Sequence, residues 1–432
     1  MYVKKLQLRN FRNYESQDVE FSEKLNVLYG ENAQGKTNIL EAVFLCSTGR
    51  SHRTQKDAEM IRFGENAAVV GLTLERKPYG EFRIEIELQR TGRKSIMING
   101  VPQKRAGDLL GRLNCVIFSP EDLAVIQDEP QVRRRFLDMF ISQIKPAYYF
   151  NLQRYINILR QRNTLLRQSR DNPRLLDTIA AWDIPLAETG AKVMRERRFF
   201  IERTGEYAKI NHSAITGGRE ELAVSYDPSL KEKEKEEDII KNAFLKTLER
   251  SLDADLARMT TWYGPHKDDI AIMLDGKNIR LFGSQGQQRT AALALKMAQV
   301  DVMAAETGDI PVLLLDDVMS ELDRGRQANL SLNMKNAQTF MTGTERFAYA
   351  GAAAGGIMES GDTAYGGYTA SEAAAESDTA GGVMTAGEAA AESAGAYVAN
   401  AAYGDNTAYA ANAAVESAVG VYRAAGGRLT KE

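Results

Sequence analysis

Eight residues constrain this chain more than any others. Gly30-Glu31-Asn32-Ala33-Gln34-Gly35-Lys36-Thr37 fills the pattern G-x-x-x-x-G-K-[ST] in full. The apolar run Lys24-Leu25-Asn26-Val27-Leu28-Tyr29 leads into it as a strand. Helical character follows from Asn38 to Leu45, ending near Gly49. The spacing has a physical reason: glycines let backbone N–H groups curl around phosphates, and the helix N-terminus adds a positive dipole. Lys36 is placed to reach the β- and γ-phosphates of ATP, and the Thr37 hydroxyl to ligate Mg²⁺. A strand–loop–helix unit of this kind belongs in an α/β fold.

Two further segments fit the same chemistry. Val312-Leu313-Leu314-Leu315 is a continuous apolar run, as in a strand buried on both faces of a parallel sheet, and Pro311 suits its first position. It ends in Asp316-Asp317, at the sheet edge where ligands bind in open α/β folds. There Asp316 is expected to hold Mg²⁺, directly or through water, and Asp317 to polarise the attacking water. Read alone, such a pair is also a simple turn. The third segment is Gly283-Ser284-Gln285-Gly286-Gln287-Gln288-Arg289-Thr290, ahead of a helical stretch from Ala291 to Val300. Ser-x-Gly opening a helix is an ordinary cap or a second anion-binding turn. One nucleotide already has its P-loop, so a second such turn implies an opposing subunit. Ser320-Glu321-Leu322-Asp323, just after the acidic pair, favours that reading.

Around these sites the pattern changes along the chain. Residues 1–120 read as strands with turns and at least one helix. Phe82 to Leu88 alternates strictly, and Ser95 to Gly100 adds a strand with an Asn-Gly hairpin turn. Residues 121–259 read as helical. Tyr148, Leu152, Tyr155, Leu159 and Leu166 form one stripe; Leu186, Gly190, Val193 and Phe200 form another, with Asp171-Asn172-Pro173 as the turn between them. This is an arm of packed helices, too short for a long coiled coil. The alternating charges from Lys231 to Asp238 suit a solvated face. Strand and helix alternation returns in residues 260–346.

Beyond Arg346 the composition shifts to Ala, Gly, Ser, Thr and Tyr, with no Lys between Lys335 and Lys431. The segment Ser371–Ser377 recurs nearly unchanged at Gly387–Ser393. So little apolar bulk hardly offsets the entropy of ordering, so disorder or loose helix is expected across residues 347–420. Residues 421–432 again read as a strand and turn. Ten acidic and three basic residues lie from Phe347 onward, leaving 48 acidic and 52 basic in the body. The body is thus mildly basic, a weak pointer to nucleic acid. No run of about 18 apolar residues suggests a membrane span, and no signal peptide is visible. Cys46 and Cys115 are too few for a disulfide framework and wrongly spaced for zinc, so a cytoplasmic setting is expected.

Taken together, these motifs resemble the RecF family, bacterial recombination-mediator ATPases related to SMC proteins and ABC ATPase heads. The resemblance rests on Leu8-Arg9-Asn10-Phe11-Arg12, the P-loop, Gly49 to Thr54, Phe118 to Leu123, Arg133 to Asp138, Gly264 to Asp269, Ser284 to Arg289 and Leu315 to Asp323. It implies an ABC-ATPase-type P-loop head, a mixed sheet with flanking helices, carrying an inserted helical arm domain. It also implies an ATP-dependent homodimer in which Ser284 and Gly286 of one subunit cap ATP held by the other. DNA would bind in the dimer's cleft, with RecO and RecR as partners at single-strand gaps, and slow hydrolysis would reset the clamp. Asp317 stands where an ABC head usually has Glu, which fits a slow switch. Thr342 or Thr344 takes the place of the switch histidine. The Ala/Gly-rich stretch is a departure from the family pattern, read as an insertion in a surface loop.

Other candidates stay open. Arg50 and Arg53 are surface arginines or contacts to nucleotide phosphate or DNA. Arg133-Arg134-Arg135 pairs with acidic neighbours or with DNA. His52, His212 and His266 are too scattered for a metal cluster, and His266 is structural or near the nucleotide. An ABC-type nuclease head would need a carboxylate cluster that no segment supplies. A transporter subunit fits poorly with the Leu8–Arg12 segment and the inserted arm. A non-hydrolysing ATP-binding scaffold is separable only by turnover.

Overall fold

The computed structural model describes residues 1–77, 80–231, 235–322, 325–327, 330, 336–344 and 419–432. The expected insertion, but for Val419 and Gly420, lies outside the described residues, as do Asp323 and the middle of the Lys231–Asp238 run.

Two six-stranded sheets sandwich one helix. The antiparallel sheet contains β1 (Tyr2–Phe11), β2 (Tyr14–Glu20), β4 (Ala67–Arg76), β5 (Gly80–Gln89), β6 (Ser95–Ile98) and β7 (Val101–Pro102), in the order β2-β1-β4-β5-β6-β7. Asn99 and Gly100 both take positive φ (51° and 77°), closing the expected two-residue hairpin. The second sheet has the order β15-β14-β3-β13-β12-β8. Its strands are β3 (Leu25–Tyr29), β8 (Cys115–Phe118), β12 (Val312–Leu315), β13 (Thr339–Gly343), β14 (Val419–Ala425) and β15 (Arg428–Lys431). Five run parallel and β15 returns antiparallel at the edge. All four residues of β12 are buried, as a strand between two parallel neighbours requires.

Helix α1 (Lys36–Thr48) is buried along almost its whole length, and its apolar side chains share one core with both sheets. A helix buried all round needs no polar face. The Gln338 side chain ties the sheets together, accepting from Val3 N–H at 2.6 Å and donating to Val3 O at 2.8 Å.

Residues 121–259, expected as a helical arm, contain α2 (Ala124–Gln127), α3 (Pro130–Ile144), α4 (Pro146–Gln168), α5 (Ala180–Thr216), α6 (Glu237–Arg250) and α7 (Leu252–Arg258). The two stripes read from the sequence face inward along α4 and α5. Gly190 is needed there, since a Cβ would lie 2.6 Å from the Phe244 ring. The reading of residues 121–259 as wholly helical is corrected at β9 (Leu222–Asp227). This strand pairs antiparallel with β10 (Asp269–Leu274), which carries β11 (Lys277–Asn278) on its other side. Its partner lies more than forty residues away, so pairing rather than local pattern decides its state. Helices α8 (Ile279–Phe282), α9 (Gln285–Thr307) and α10 (Val318–Glu321) follow.

Half-buried His52 and His266 make stability acid-sensitive. His52 stands edge-on to Phe44 with ring centroids 5.5 Å apart; burial pushes its pKa down to about 4. Burial does the same to His266, also to about 4. Both are neutral in the fold, while unfolded histidine titrates near 6.5. Between those values the unfolded chain binds more protons, so this contribution is complete above about pH 6.5 and declines as pH falls toward 4. Urea midpoints at pH 7 and pH 5 are expected to differ, and the difference should shrink in His266→Gln. An unchanged difference in that variant contradicts the assignment to His266.

Candidate nucleotide site

The P-loop connects β3 to α1 at the C-terminal edge of the parallel strands. Gly30 (φ 144°) and Gly35 (φ 103°) adopt backbone that side chains rarely take, and Ala33 is left-handed at φ 65°. At Gly35 a Cβ would meet the Asn13 side chain at 2.7 Å and the Tyr14 hydroxyl at 2.9 Å. At Gly30 it would meet Ala424 O of β14 at 2.4 Å. Gly35→Ala is therefore expected to weaken ATP affinity at least tenfold while the chain stays folded, as titration calorimetry would read. Wild-type affinity in this variant contradicts the tight fit.

Lys36 is buried and folds back over its own loop, donating to Gly30 O at 2.6 Å and Glu31 O at 3.0 Å. Its ammonium already donates to these two carbonyls, for which phosphate oxygens are the alternative acceptors. Asn32 and Ala33 form the exposed crest of the loop. Gln34 anchors it, its side chain accepting from Gly426 N–H at 2.6 Å and its carbonyl from Asn13 Nδ2 at 3.1 Å.

Thr37 and the acidic pair meet. Thr37 Oγ1 donates to Asp316 Oδ1 at 2.8 Å, and Thr342 Oγ1 donates to the same oxygen at 3.0 Å. Asp317 N–H donates to Thr342 Oγ1 at 2.9 Å. Of the two threonines considered for the switch position, Thr342 touches both aspartates; Thr344 is exposed. Burial raises the Asp316 pKa, and the neighbouring Asp317 charge adds to that, while Thr37 and Thr342 oppose it. A hydroxyl and a carboxylate, hard oxygens in a partly desolvated corner, fit Mg²⁺ better than a softer metal. Asp317 takes φ 53°, a left-handed turn that Asp tolerates and that starts α10.

The second phosphate-type turn stands apart. Ser284 caps α9 in a reciprocal box: Ser284 Oγ accepts from Gln287 N–H at 3.2 Å, and Gln287 Oε1 accepts from Ser284 N–H at 2.8 Å. The helix-cap reading of Ser284 thus holds within this chain. Ser284 and Gly286 are exposed. Arg326 donates to Gly286 O at 3.2 Å and to Thr290 Oγ1 at 2.6 Å, linking the turn to the segment after the acidic pair. Among the described residues, no hydrogen bond joins Ser284 or Gly286 to the P-loop.

Sequence reading missed the support behind the P-loop. Glu41 is fully buried on α1 and accepts from Arg12 at 2.6 and 2.8 Å and from Ser51 at 2.5 Å; Arg53 lies 3.6 Å away. Burial alone would raise the Glu41 carboxyl, but Arg12 and Ser51 outweigh it and hold it below the usual range. The one acid of α1, set between Leu40 and Ala42, was the available signal. The roles left open for arginine resolve unevenly. Arg133 makes a bidentate pair with Asp269 at 2.7 and 2.8 Å, and Arg134 donates to Asp268 O at 2.6 Å. His266 is structural: its Nδ1 accepts from the Tyr155 hydroxyl at 2.6 Å, and Nε2 donates to Thr261 O at 3.0 Å. Among the described residues no cluster of three metal-ligating side chains occurs, and no helix is long and apolar enough to cross a membrane.

Comparison with known proteins agrees with this geometry. Residues 2–352 match the family described as RecF/RecN/SMC N terminal domain. The DNA replication and repair protein RecF of Acetivibrio thermocellus is 45% identical over 347 residues, covering 80% of this chain and 94% of the relative. That of Ruminiclostridium cellulolyticum is 43% identical, covering 80% and 93%. Among solved structures, a recombination mediator RecF–ATP of the RecFOR pathway superposes with TM-score 0.77 at 38% identity, covering 80% of this chain and 93% of the other. A second, RecF–ATPrS, gives TM-score 0.79 at 32% identity, covering 100% and 98%. The fold is that of an SMC/ABC-type ATPase head, and the chain belongs to the RecF family of DNA replication and repair proteins.

Proposed function

We propose that this chain is an ATP-driven DNA clamp. The observation that carries the reading is the division of the site. Lys36, Thr37, Asp316 and Thr342 gather at one sheet edge, while Ser284 and Gly286 lie exposed, and among the described residues neither hydrogen-bonds to its own P-loop. Two copies facing each other would bring each exposed turn over the other's nucleotide. Gly30 to Thr37 would hold ATP, Lys36 exchanging its loop carbonyls for phosphate oxygens. Thr37 and Asp316 would hold Mg²⁺, which when bound neutralises phosphate charge. Asp317 would accept a hydrogen bond from the attacking water, as a shorter and slower counterpart of glutamate. ATP-bound relatives in the RecFOR pathway support this assignment.

Residues 1–120, 260–346 and 421–432 would form the head, residues 121–259 the arm, and residues 347–420 an insertion. The closed dimer would hold duplex DNA through phosphates and so be salt-sensitive. Weak, DNA-stimulated hydrolysis would reopen it, and RecO and RecR would be its partners when recombinase is loaded at single-strand gaps. Asp317→Asn separates this switch from a non-hydrolysing scaffold. Turnover is expected to fall at least a hundredfold with ATP affinity unchanged, and duplex retention measured by polarisation should lengthen. Equal phosphate release by wild type and variant contradicts the role given to Asp317.

A further inference from the structure

The second phosphate-type turn is held from outside its own helix. In the capping box of α9 the Gln287 side chain uses its oxygen to accept from Ser284 N–H at 2.8 Å. Its Nε2 donates to Glu220 Oε1 at 2.9 Å, from a residue 67 positions earlier in the chain. Glu220 lies in the turn between α5 and β9. A carboxylate only accepts, so the NH₂ group of Gln287 must face Glu220, and its oxygen is left for Ser284 N–H. The turn that carries Glu220 is itself pinned. Glu221 N–H donates to Asp275 Oδ1 at 2.8 Å, and Asp275 N–H donates to Glu221 O at 3.0 Å. The other carboxylate oxygen, Glu220 Oε2, lies 3.8 Å from Nε2 of fully buried His212. Burial pushes the His212 pKa down, so near pH 7 the ring is neutral and does not draw the carboxylate from Gln287 as a cation would.

We propose that Glu220 is a positioning residue for this turn: through Gln287 it sets how the Ser284 hydroxyl faces the nucleotide of a partner copy. The inference rests on the clamp reading and deepens it, since it assigns the turn's orientation to a residue outside the turn. Ser284 Oγ accepts from Gln287 N–H at 3.2 Å, which leaves the hydroxyl proton free to be donated outward. Ser284 N–H is already taken by Gln287 Oε1, so the turn offers a phosphate oxygen a hydroxyl on an anchored frame. A donor held in place before its ligand arrives costs less to order on binding. Without Glu220, water competes for the Gln287 amide and the amide is free to rotate. The capping box then loosens at its exposed end, where Ser284 and Gly286 stand. Arg326 still supports the turn through Gly286 O and Thr290 Oγ1. Removing Glu220 therefore loosens the serine without unfolding the helix.

The test is light-scattering mass of the full chain in ATP over a range of protein concentration, with phosphate release followed in parallel. Glu220→Ala and Gln287→Ala are each expected to need at least about tenfold more protein to dimerise, the size of one lost charge-assisted bond. Phosphate release per chain should fall in step, while the melting temperature without ATP matches wild type. ATP affinity of the single chain should also be unchanged, read by calorimetry with Glu220→Ala placed in the Ser284→Arg chain. Because the two residues act as one unit, the double variant should be no worse than either single one; independent roles would multiply to about a hundredfold. Glu220→Gln keeps an acceptor for the amide and should recover about half of the loss on a logarithmic scale. Dimerisation and turnover at wild-type level in Glu220→Ala overturn the proposal, as does a double variant whose loss is the product of the two single losses. A wild-type chain that binds ATP and stays monomeric overturns the clamp reading and this one with it. A wild-type chain that doubles its mass beside an unaffected Glu220→Ala overturns this one alone.

Discussion

Lys36→Ala is expected to remove ATP binding from the range that calorimetry can measure. The side chain is buried, and its ammonium makes two charge-assisted bonds to Gly30 O and Glu31 O. Phosphate oxygens compete for the same donors with full negative charge, and bonds of this type contribute about 1.5–3 kcal/mol each. Losing two weakens binding roughly a hundredfold to ten-thousandfold. The fold should survive, because α1 is held by its apolar contacts with both sheets rather than by Lys36. The signature of this outcome is a wild-type melting temperature without ATP and no upward shift when ATP is added. Lys36→Arg should recover little, since a planar fork does not fit a buried site that holds a compact ammonium against two loop carbonyls. Millimolar ATP shifting the variant's melting temperature as in wild type would remove Lys36 from the site.

The second large effect is structural and lies where α4, α5 and α7 meet. Arg162 is fully buried on α4. It donates to Asp183 of α5 at 2.6 Å, to Asp255 of α7 at 2.7 Å and to Thr261 Oγ1 at 2.8 Å. Asp255 is also inaccessible and accepts from Trp262 N–H at 3.0 Å. Removing the arginine leaves a buried carboxylate without its countercharge, which costs about 3–5 kcal/mol. Arg162→Ala should lower the urea midpoint of the chain accordingly. The triple variant Arg162→Met with Asp183→Leu and Asp255→Leu should recover much of the loss, because replacing the arginine and both carboxylates by apolar groups leaves no unpaired charge. A loss under about 1 kcal/mol in Arg162→Ala contradicts the account of this network.

Much of the site was legible because its chemistry is local. Gly30 to Thr37 declares strand, turn and helix in one unbroken stretch, and Asp316-Asp317 follows its strand directly. The same holds for Asn99-Gly100, where positive φ at both positions is written into the residue types. What escaped the sequence depends on chain segments meeting from afar. Glu41 gives no hint that Arg12 and Ser51 surround it. The place of Asn13 and Tyr14 against Gly35 follows from the β1–β2 turn folding over the P-loop. Strand β9 looked like part of a helical arm because its pairing partner, β10, lies beyond two further helices. Arg133 kept two readings open until Asp269 was found 2.7 Å away. The C-terminal hairpin read as strand and turn, yet its task of backing Gly30 through Ala424 is visible only in three dimensions.

The central claim is that two chains close on ATP. Light-scattering mass with and without ATP, with duplex DNA added to each, tests it most directly. The account predicts a doubled mass with ATP, further favoured by duplex, and monomers throughout for Lys36→Ala and Ser284→Arg. Ser284→Arg should still bind ATP, since among the described residues Ser284 makes no hydrogen bond to its own P-loop. A wild-type chain that binds ATP and stays monomeric, with or without duplex, contradicts the account.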